Sequence, residues 1–199
     1  HHRELYEAYV ADDGGTPNDP SDDTIGGLDT PIWSENDAFP GTLDQDQQNE
    51  VATTGESYWL FKNTFGRDSY DGNGSKMVTV NNDPAISCPN ANWNGETTNY
   101  CNGVTSDDVV SHEWGHAYTE YTSGLIYQWQ PGALNESYSD IWGEIIDQIN
   151  GGEGVDTTPT VPRSVGTCST SSPPRAELIV NSPPGIAGSY PAQAAGVGP

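Results

Sequence analysis

The sequence predicts an α+β fold, because helix patterns and strand patterns occupy separate stretches of the chain. Residues 48–65 place apolar and small side chains at helical intervals and stop at Gly66. The run KMVTV, residues 76–80, is rich in β-branched residues, which is typical of a strand. Two further helix patterns follow, at about 105–123 and 132–150. A chain of 199 residues is long enough for such a domain to bury a core.

The first half is expected to be irregular apart from these short elements. Residues 11–47 are rich in Asp, Gly and Pro, which favours surface loops with short strands at most. The helix that ends at Gly66 is followed by SYDGNG, which indicates a turn. The segment CPNANWNGETTNYC, residues 88–101, has Asn-Gly near its centre and predicts a hairpin or a looped edge strand.

The two later helices have recognisable ends. Thr105 and Ser106 can cap the first, and its acidic first turn suits the positive end of the helix dipole. We expect this helix to run to about Ser123, with Gly124 as its C-cap. The second helix is expected to run from about Gly132 to residue 150.

Composition limits the classes of function. The chain has 29 acidic and 6 basic residues, for a net charge of −23, which disfavours nucleic-acid binding because the surface would repel phosphates. The excess acid fits a solvated surface, calcium binding or a salty habitat. No apolar run has transmembrane length, so no membrane association is predicted.

Targeting signals and cysteines bear on localisation. The chain opens HHRELYEAYV without the apolar stretch of a signal peptide, so it is cytosolic or the processed part of an exported protein. Scarce Lys and Met, with abundant Asn, Thr, Ser and Gly, favour the secreted, extracellular alternative. Three cysteines indicate one pair and one left over.

The segment SHEWGHAYTEY, residues 111–121, contains two histidines four positions apart. On a helix, His112 and His116 share one face, so both imidazoles can reach one metal ion. Glu113 is one step round and can point beside the metal. This arrangement is typical of a zinc-activated water with a carboxylate general base. The alternative is a helix with two ordinary surface histidines.

A catalytic zinc site needs three protein ligands and an open position. One class of HExxH enzyme places a third histidine six residues after the second, but that position is Thr122 here. Glu136, 20 residues after His116, can instead return on a following antiparallel helix. Asp140 lies on the same face, four residues later, and can accept the free ring N–H of His112.

The stretch HEWGHAYTEYTSGLIYQWQPGALNESYSDIWGEIID resembles the core of the thermolysin family of zinc metallopeptidases, the gluzincins. The similarity extends upstream through FGRDSYDGNG and NANWNG and covers about residues 1–150. It implies the amino-terminal catalytic half of that fold, with a twisted, mainly antiparallel sheet, an active-site helix and a second ligand-bearing helix. It also implies a zinc endopeptidase that acts on protein or peptide substrates.

The resemblance further implies a role for each residue of the site. The roles are zinc ligation by His112, His116 and Glu136, general-base catalysis by Glu113, hydrogen-bond donation to the transition state by Tyr127, and substrate binding by Asn90, Ala91 and Val109. The family usually has an aromatic residue where Asn92 stands, so the outer wall of the cleft is expected to differ.

The family also binds calcium, and the resemblance implies Asp108 and Asp147 as candidate ligands. The loop after them, GGEGVDTTP, departs from the family pattern and offers only Glu153 and Asp156. We therefore predict at least one structural calcium ion. The alternative is that Asp108 serves as a simple helix cap and that Asp147 is solvated.

Cys88 and Cys101 bracket the segment that would carry the substrate-binding edge. We predict a disulfide between them, which closes a loop of about 14 residues and is worth about 3 kcal/mol in the chain-entropy model. Two free thiols are the alternative if the protein is cytosolic. Cys168 is then left over, and its partner is expected outside this chain.

The predicted domain organisation is a catalytic region at 1–156, a linker at 157–175 and a partial domain at 176–199. The last segment contains a short apolar strand, 178–180, and resembles the start of a protease-associated insert domain, with a disordered linker as the alternative. The family's carboxy-terminal helical domain, which supplies an oxyanion-stabilising histidine, is expected to be missing, because no histidine follows Glu136.

Two functions therefore compete. The first is a secreted zinc endopeptidase, of which this chain is a fragment that binds one zinc ion but cleaves peptides poorly or not at all. The second is a non-catalytic, metal-stabilised binding module of the same fold. The presence of Glu113 favours the enzyme, because a binding module has no use for a general base.

Overall fold

Seven short strands and three helices make up the part of the chain that the structure, a computed structural model, describes, namely residues 2–16 and 22–149. The strands are β1 (Arg3–Glu7), β2 (Tyr9–Asp12), β3 (Thr24–Gly26), β4 (Trp33–Ser34), β5 (Met77–Asn81), β6 (Ala91–Trp93) and β7 (Thr98–Tyr100). The helices are α1 (Gln45–Phe65), α2 (Asp107–Glu120) and α3 (Trp129–Ile149). The first compact unit of the chain is His1–Ile146. The linker and insert-domain predictions fall on 157–199, outside the described residues.

Five strands form one sheet in the order β4-β1-β5-β7-β6, and β2 pairs with β3 separately. The pairs β1/β4, β6/β7 and β2/β3 are antiparallel, whereas β1/β5 and β5/β7 are parallel. The centre of the sheet is parallel because α1 makes the long crossover from β1 to β5 that parallel neighbours require. With three of these five pairings antiparallel, the predicted α+β class with a mainly antiparallel sheet is confirmed.

The predicted hairpin is β6 and β7, and β6 lies at the edge of the sheet. Asn94 and Gly95 form its turn, and Gly95 has a φ of 99°, which favours glycine. The Asn94 side-chain oxygen accepts hydrogen bonds from the backbone N–H groups of Glu96 and Thr97, so the loop is closed locally. A disulfide joins Cys88 to Cys101 and ties the two ends of this hairpin together, as predicted.

Helix α1 confirms the predicted stop at Gly66, whose φ is 69° and whose N–H bonds to the Lys62 carbonyl oxygen. It begins three residues before the predicted start, because Asp44 and Gln47 form a reciprocal capping box. Thr54 on this helix shares a buried hydrogen bond with Thr79 of β5, which fixes α1 against the middle of the sheet.

Helix α2 begins beside Ser106, but the hydroxyl of Ser106 donates to the Asp108 carboxylate rather than capping the helix. The predicted end near Ser123 is wrong, since α2 ends at Glu120. The Thr122 hydroxyl donates to the carbonyl oxygen of Tyr118 at 2.6 Å and occupies the acceptor that a continuing helix would use.

After α2, Gly124 has a φ of 59°, and its N–H bonds back to the Thr119 carbonyl oxygen. This glycine therefore closes the terminal turn rather than capping the helix itself. Helix α3 starts at Trp129, three residues before the predicted Gly132. Pro131 lies in its first turn, where a missing N–H costs nothing. The predicted end at 150 lies just outside the described residues.

The core around α2 is aromatic. Trp114 is fully buried and donates its indole N–H to the Thr54 hydroxyl at 3.0 Å. Tyr118 stacks on Phe61 of α1, with ring centroids 3.6 Å apart. Tyr100 of β7 is fully buried in the same cluster. These contacts fix one face of α2 against α1 and the sheet, so its opposite face can carry the site. None of the described helices has the length and apolar composition of a membrane span.

Candidate metal centre

The imidazoles of His112 and His116 converge on one point beside α2. Their Nε2 atoms lie 3.0 Å apart. Glu136, on α3, brings one carboxylate oxygen to 3.2 Å from the Nε2 of His112 and the other to 3.7 Å from the Nε2 of His116. Among residues 2–16 and 22–149, this is the one group of three or more His, Cys, Asp or Glu side chains arranged to hold a metal ion.

The spacing of these atoms fits zinc. Zinc–nitrogen and zinc–oxygen bonds of about 2.0–2.2 Å in a tetrahedron place neighbouring ligand atoms about 3.3 Å apart. In the structure the two Nε2 atoms lie 3.0 Å apart, and each has a different Glu136 oxygen nearby, at 3.2 Å and 3.7 Å, distances close to that value. Two imidazoles and one carboxylate leave the fourth position of a tetrahedron open, which is the arrangement of a catalytic site rather than a structural one.

Hydrogen bonds to the far side of each ring set its tautomer. The Nδ1 of His112 lies 2.9 Å from a carboxylate oxygen of Asp140, and the Nδ1 of His116 lies 2.7 Å from the side-chain oxygen of Asn135. The amide of Asn135 donates to the Leu125 carbonyl oxygen, so its oxygen faces the imidazole. Both oxygens can only accept, so both Nδ1 atoms carry hydrogen and both Nε2 atoms present lone pairs.

The electrostatics of this arrangement call for a cation. Two nitrogen lone pairs and a carboxylate meet within van der Waals distance, and like-signed groups in that position repel one another. Burial lowers the pKa of His116, which favours the neutral, ligating form of its ring. A divalent metal bound by both Nε2 atoms and the carboxylate satisfies all three groups at once and leaves the two far-side hydrogen bonds intact.

The sequence did not identify two of the residues that hold His116. Asn135 bonds to its Nδ1, and the Ser139 hydroxyl lies 3.1 Å from the same atom. With Glu136 and Asp140 they occupy positions i, i+1, i+4 and i+5 of α3, which form one stripe of the helix. That polar stripe, centred on the predicted ligand, is the signal that could have found them.

Glu113 lies next to His112 and is 7% exposed. Burial, the largest cause, and the charge of Glu136 raise its pKa, whereas His112 and a hydrogen bond from the Trp93 backbone lower it, and the resulting pKa is about 7. A carboxyl group with a pKa near neutrality can both take up and release a proton at that pH. Glu113 also lines the cavity that contains the metal ligands, so a substrate there can reach it.

The cavity has a volume of about 790 Å³. One wall is the edge strand and its approach, with Asn90, Ala91 and Asn92. Tyr127 lies on the other side, 66% exposed, with its ring centroid 5.8 Å from that of His116. Val109 is not among the lining residues; it is partly buried against the aromatic core, and its predicted role in substrate binding stays a prediction.

The calcium candidates Asp108 and Asp147 are not among the residues that line this cavity. The Asp108 carboxylate accepts hydrogen bonds from the Ser106 hydroxyl and the Val109 N–H. Asp147, near the end of α3, is 6% exposed. Glu153 and Asp156 lie outside the described residues. Calcium binding therefore stays a prediction.

Comparison with known proteins bears on this arrangement. A family model described as thermolysin metallopeptidase, catalytic domain, matches residues 11–120, and one described as thermolysin metallopeptidase, alpha-helical domain, matches residues 123–160. The first match covers more than half of the 199 residues. The second includes α3, a helix that the predicted domain organisation places in the catalytic region.

Individual relatives and a solved structure show similarity to the same class of protein. The chain is 39% identical over 139 residues to bacillolysin of Brevibacillus brevis, covering 61% of this chain and 26% of that protein. It is 40% identical over 104 residues to an extracellular elastase of Staphylococcus epidermidis, covering 46% and 20%. The precursor of protealysin, a metalloproteinase from Serratia proteamaculans, aligns with a TM-score of 0.61 and 27% identity over 76% of this chain and 44% of that one. The chain thus spans about a quarter of these curated relatives or less.

Proposed function

The chain belongs to the thermolysin family of metallopeptidases, and we propose that it carries the zinc centre of a secreted endopeptidase. The observation that supports this most strongly is the convergence of His112, His116 and Glu136. Their spacing suits a tetrahedral ion with one position left for chemistry. The far-side hydrogen bonds of both imidazoles hold them ready to ligate.

Zinc, when bound by these three residues, polarises a peptide carbonyl and acidifies a water molecule toward a pKa of about 7. Glu113 supplies the proton transfer. Its carboxylate takes a proton from the attacking water and passes it to the nitrogen of the leaving amine. Burial in the cavity wall suits this role because it brings the pKa of Glu113 close to 7, where giving and taking a proton are both accessible.

The substrate lies along β6. This strand pairs with β7 on one side only, so its other edge can pair with an extended peptide. Asn90 and Ala91 hold the peptide backbone there, and the Tyr127 hydroxyl donates a hydrogen bond to the developing oxyanion. The Asn92 side chain accepts a hydrogen bond from the amide of Asn99 at 2.8 Å, so this part of the wall is polar.

The substrates are peptides and proteins, and the site of action is outside the cell. A disulfide between Cys88 and Cys101 fits an oxidising environment. The similarity to a protein named extracellular elastase points the same way. A structural calcium ion, with Asp108 and Asp147 as candidate ligands, belongs to the same proposal. If calcium is bound, EGTA in zinc-supplemented buffer will lower the melting temperature, and an unchanged value would contradict calcium binding.

The test combines metal binding with hydrolysis. The 199-residue chain should bind one zinc ion per molecule by atomic absorption after dialysis. We expect it to cleave a quenched-fluorescence peptide slowly, because Tyr127 is largely exposed and water is not excluded from the cavity. Cleavage should stop when zinc is removed and return when it is restored. Zinc-dependent cleavage would exclude the binding-module alternative, whereas zinc binding without any cleavage fits both functions, because the fragment is expected to cleave poorly or not at all. Absence of zinc binding would contradict both functions.

A further inference from the structure

Helices α2 and α3 come into close contact where Gly115 faces Ser139. A Cβ atom placed on Gly115 would lie 2.8 Å from the Cα of Ser139, 3.0 Å from its Oγ and 3.1 Å from its Cβ. Non-bonded carbon atoms pack at about 3.5–4.0 Å. The nearest obstacle is backbone, which cannot swing aside as a long side chain can. No residue larger than glycine therefore fits at 115 unless the two helices move apart.

This contact lies between the parts of the two helices that carry the candidate metal ligands. Gly115 stands between His112 and His116 on α2. On α3, Ser139 lies three residues after Glu136 and is fully buried. Every α3 side chain shown to contact the two imidazoles lies within about one turn of this contact, namely Asn135, Glu136, Ser139 and Asp140. The distance between the helices at this point therefore sets all of these contacts together.

We propose that Gly115 is a positioning residue for the metal site. By having no side chain, it lets α3 approach α2 closely enough for Glu136 to reach both imidazoles. This inference rests on the proposed zinc centre, and it adds that Gly115 determines the position of the third ligand, Glu136. The glycine is not required by backbone conformation, because Gly115 is not among the residues with positive φ. In a helix interior, glycine is less favourable than alanine by about 1 kcal/mol, so local stability alone would favour alanine.

The size of the effect follows from the geometry. To relieve a contact of 2.8 Å to the 3.4 Å of ordinary van der Waals distance, α3 must move away by 3.4 − 2.8 = 0.6 Å or more. Metal–ligand distances tolerate only about 0.2 Å of deviation. Both histidines lie on α2 and keep their mutual spacing, whereas Glu136 moves with α3. Replacement of Gly115 by alanine should therefore weaken one ligand and leave the other two in place.

Gly143 offers a matched control. A Cβ atom there would lie 2.5 Å from the backbone oxygen of Asp108, so Gly143→Ala disturbs the same pair of helices at a second point. That point is seven residues beyond Glu136, about 10 Å along the helix axis. Relief of that contact falls on the part of α3 beyond Ser139, so we expect Glu136, about two turns away, to move less than under Gly115→Ala.

The experiment measures zinc affinity in the 199-residue chain by competition with a chromophoric chelator, with thermal unfolding of the metal-free forms. Gly115→Ala should bind zinc about 10- to 100-fold more weakly than the parent chain, the range found when the groups that orient a ligand are lost. The visible absorption of bound Co²⁺, which reports coordination number, should change as well. Gly143→Ala should lower the melting temperature with less than a tenfold loss of zinc affinity.

Two results would overturn the inference: parental zinc affinity in Gly115→Ala, or equal losses in Gly115→Ala and Gly143→Ala. If Gly115→Ala does not fold, Ser139→Thr adds one methyl group to the same contact from the α3 side while keeping the hydroxyl. It should weaken zinc binding in the same way, and unchanged affinity in that variant would also overturn the inference. A parent chain that binds no zinc would instead contradict the proposed function itself.

Discussion

Two buried glutamates, Glu50 on α1 and Glu113 on α2, both have a raised pKa but differ in whether they can act in catalysis. Burial is the largest cause of a raised pKa in both. Neighbouring acids reinforce it in both, Asp46 and Glu7 for Glu50, and Glu136 for Glu113. Burial chiefly raises the pKa of Tyr100 in the same core, and the charges of Glu113 and Glu50 both raise it further.

The two glutamates differ in their access to the cavity and in their hydrogen-bond partners. Glu50 is 0% exposed, and neither of its carboxyl oxygens has a hydrogen-bond partner within the described part of the chain. Glu113 lines the cavity, lies next to His112 and accepts a hydrogen bond from the Trp93 backbone. A raised pKa therefore marks a catalytic acid or base only where the group can reach a substrate. In a sealed position it marks a cost to stability.

The largest expected effect comes from Glu113→Gln. The change removes the proton acceptor and keeps the shape, so peptide hydrolysis should fall by about 100- to 10,000-fold while zinc stays bound. Glu50→Gln is the matched control and should leave hydrolysis unchanged. Turnover of a fluorogenic peptide and zinc content of both variants provide the measurement. An active Glu113→Gln variant would show that Glu113, like Glu50, has no role in catalysis.

Tyr127→Phe should have the next largest effect. Removal of one oxyanion donor typically lowers turnover about 100- to 1,000-fold, and the exposure of Tyr127 places the expected loss near the lower limit. The Michaelis constant should change much less, because the bond forms mainly in the transition state. Steady-state kinetics separate the two. A change confined to the Michaelis constant would show that Tyr127 only binds substrate.

Asp140→Ala tests the hydrogen bond behind His112. Loss of the group that orients a ligand should weaken zinc binding by about 10- to 100-fold. Asp83→Ala removes the same charge from a carboxylate that accepts the backbone N–H of Ala85 in a loop, and should leave zinc affinity unaltered. Zinc dissociation constants of the two variants decide the matter. An equal loss of zinc affinity in the two variants would mean that net charge, rather than the 2.9 Å contact to His112, governs zinc binding.

Glu50→Gln should have the smallest effect, and its sign depends on pH. The raised pKa means that folded Glu50 keeps a proton above pH 4.5, its ordinary value, where the unfolded chain releases it. The free energy of unfolding therefore falls as pH rises from about 4.5 toward neutrality. Glutamine cannot titrate, so the variant should match the parent near pH 4 and be more stable than the parent at pH 7. Urea unfolding at both pH values measures the difference. A constant difference would show that Glu50 is ionised in the folded chain.

The sequence located those features that local chemistry determines. Gly66 ends α1 as predicted, because a left-handed cap needs only the residue itself and the preceding turn. The pair His112 and His116 could be placed on one helix face from spacing alone. Gly124 led to a wrong predicted end for α2, because its N–H bonds to the Thr119 carbonyl oxygen in a turn that follows the helix end at Glu120.

Features that depend on long-range packing could not be predicted from the sequence. The contact between Asn135 and His116 joins residues 19 positions apart and exists only because α3 lies against α2. The parallel pairing of β1 with β5 joins strands separated by the whole of α1, and no local pattern specifies it. The contrast between Glu50 and Glu113 is of the same kind, since burial and cavity access are properties of the folded chain.

X-ray absorption at the zinc edge of the zinc-loaded 199-residue chain shows which atoms surround the metal. We expect one zinc ion with about four light-atom neighbours at about 2.0–2.2 Å, including two imidazoles. The imidazole signal should fall by half in His112→Ala and persist in Glu113→Gln. A shell without imidazole, a sulfur neighbour, or a spectrum unaltered by His112→Ala would show that the metal binds elsewhere and would contradict the assignment of this site.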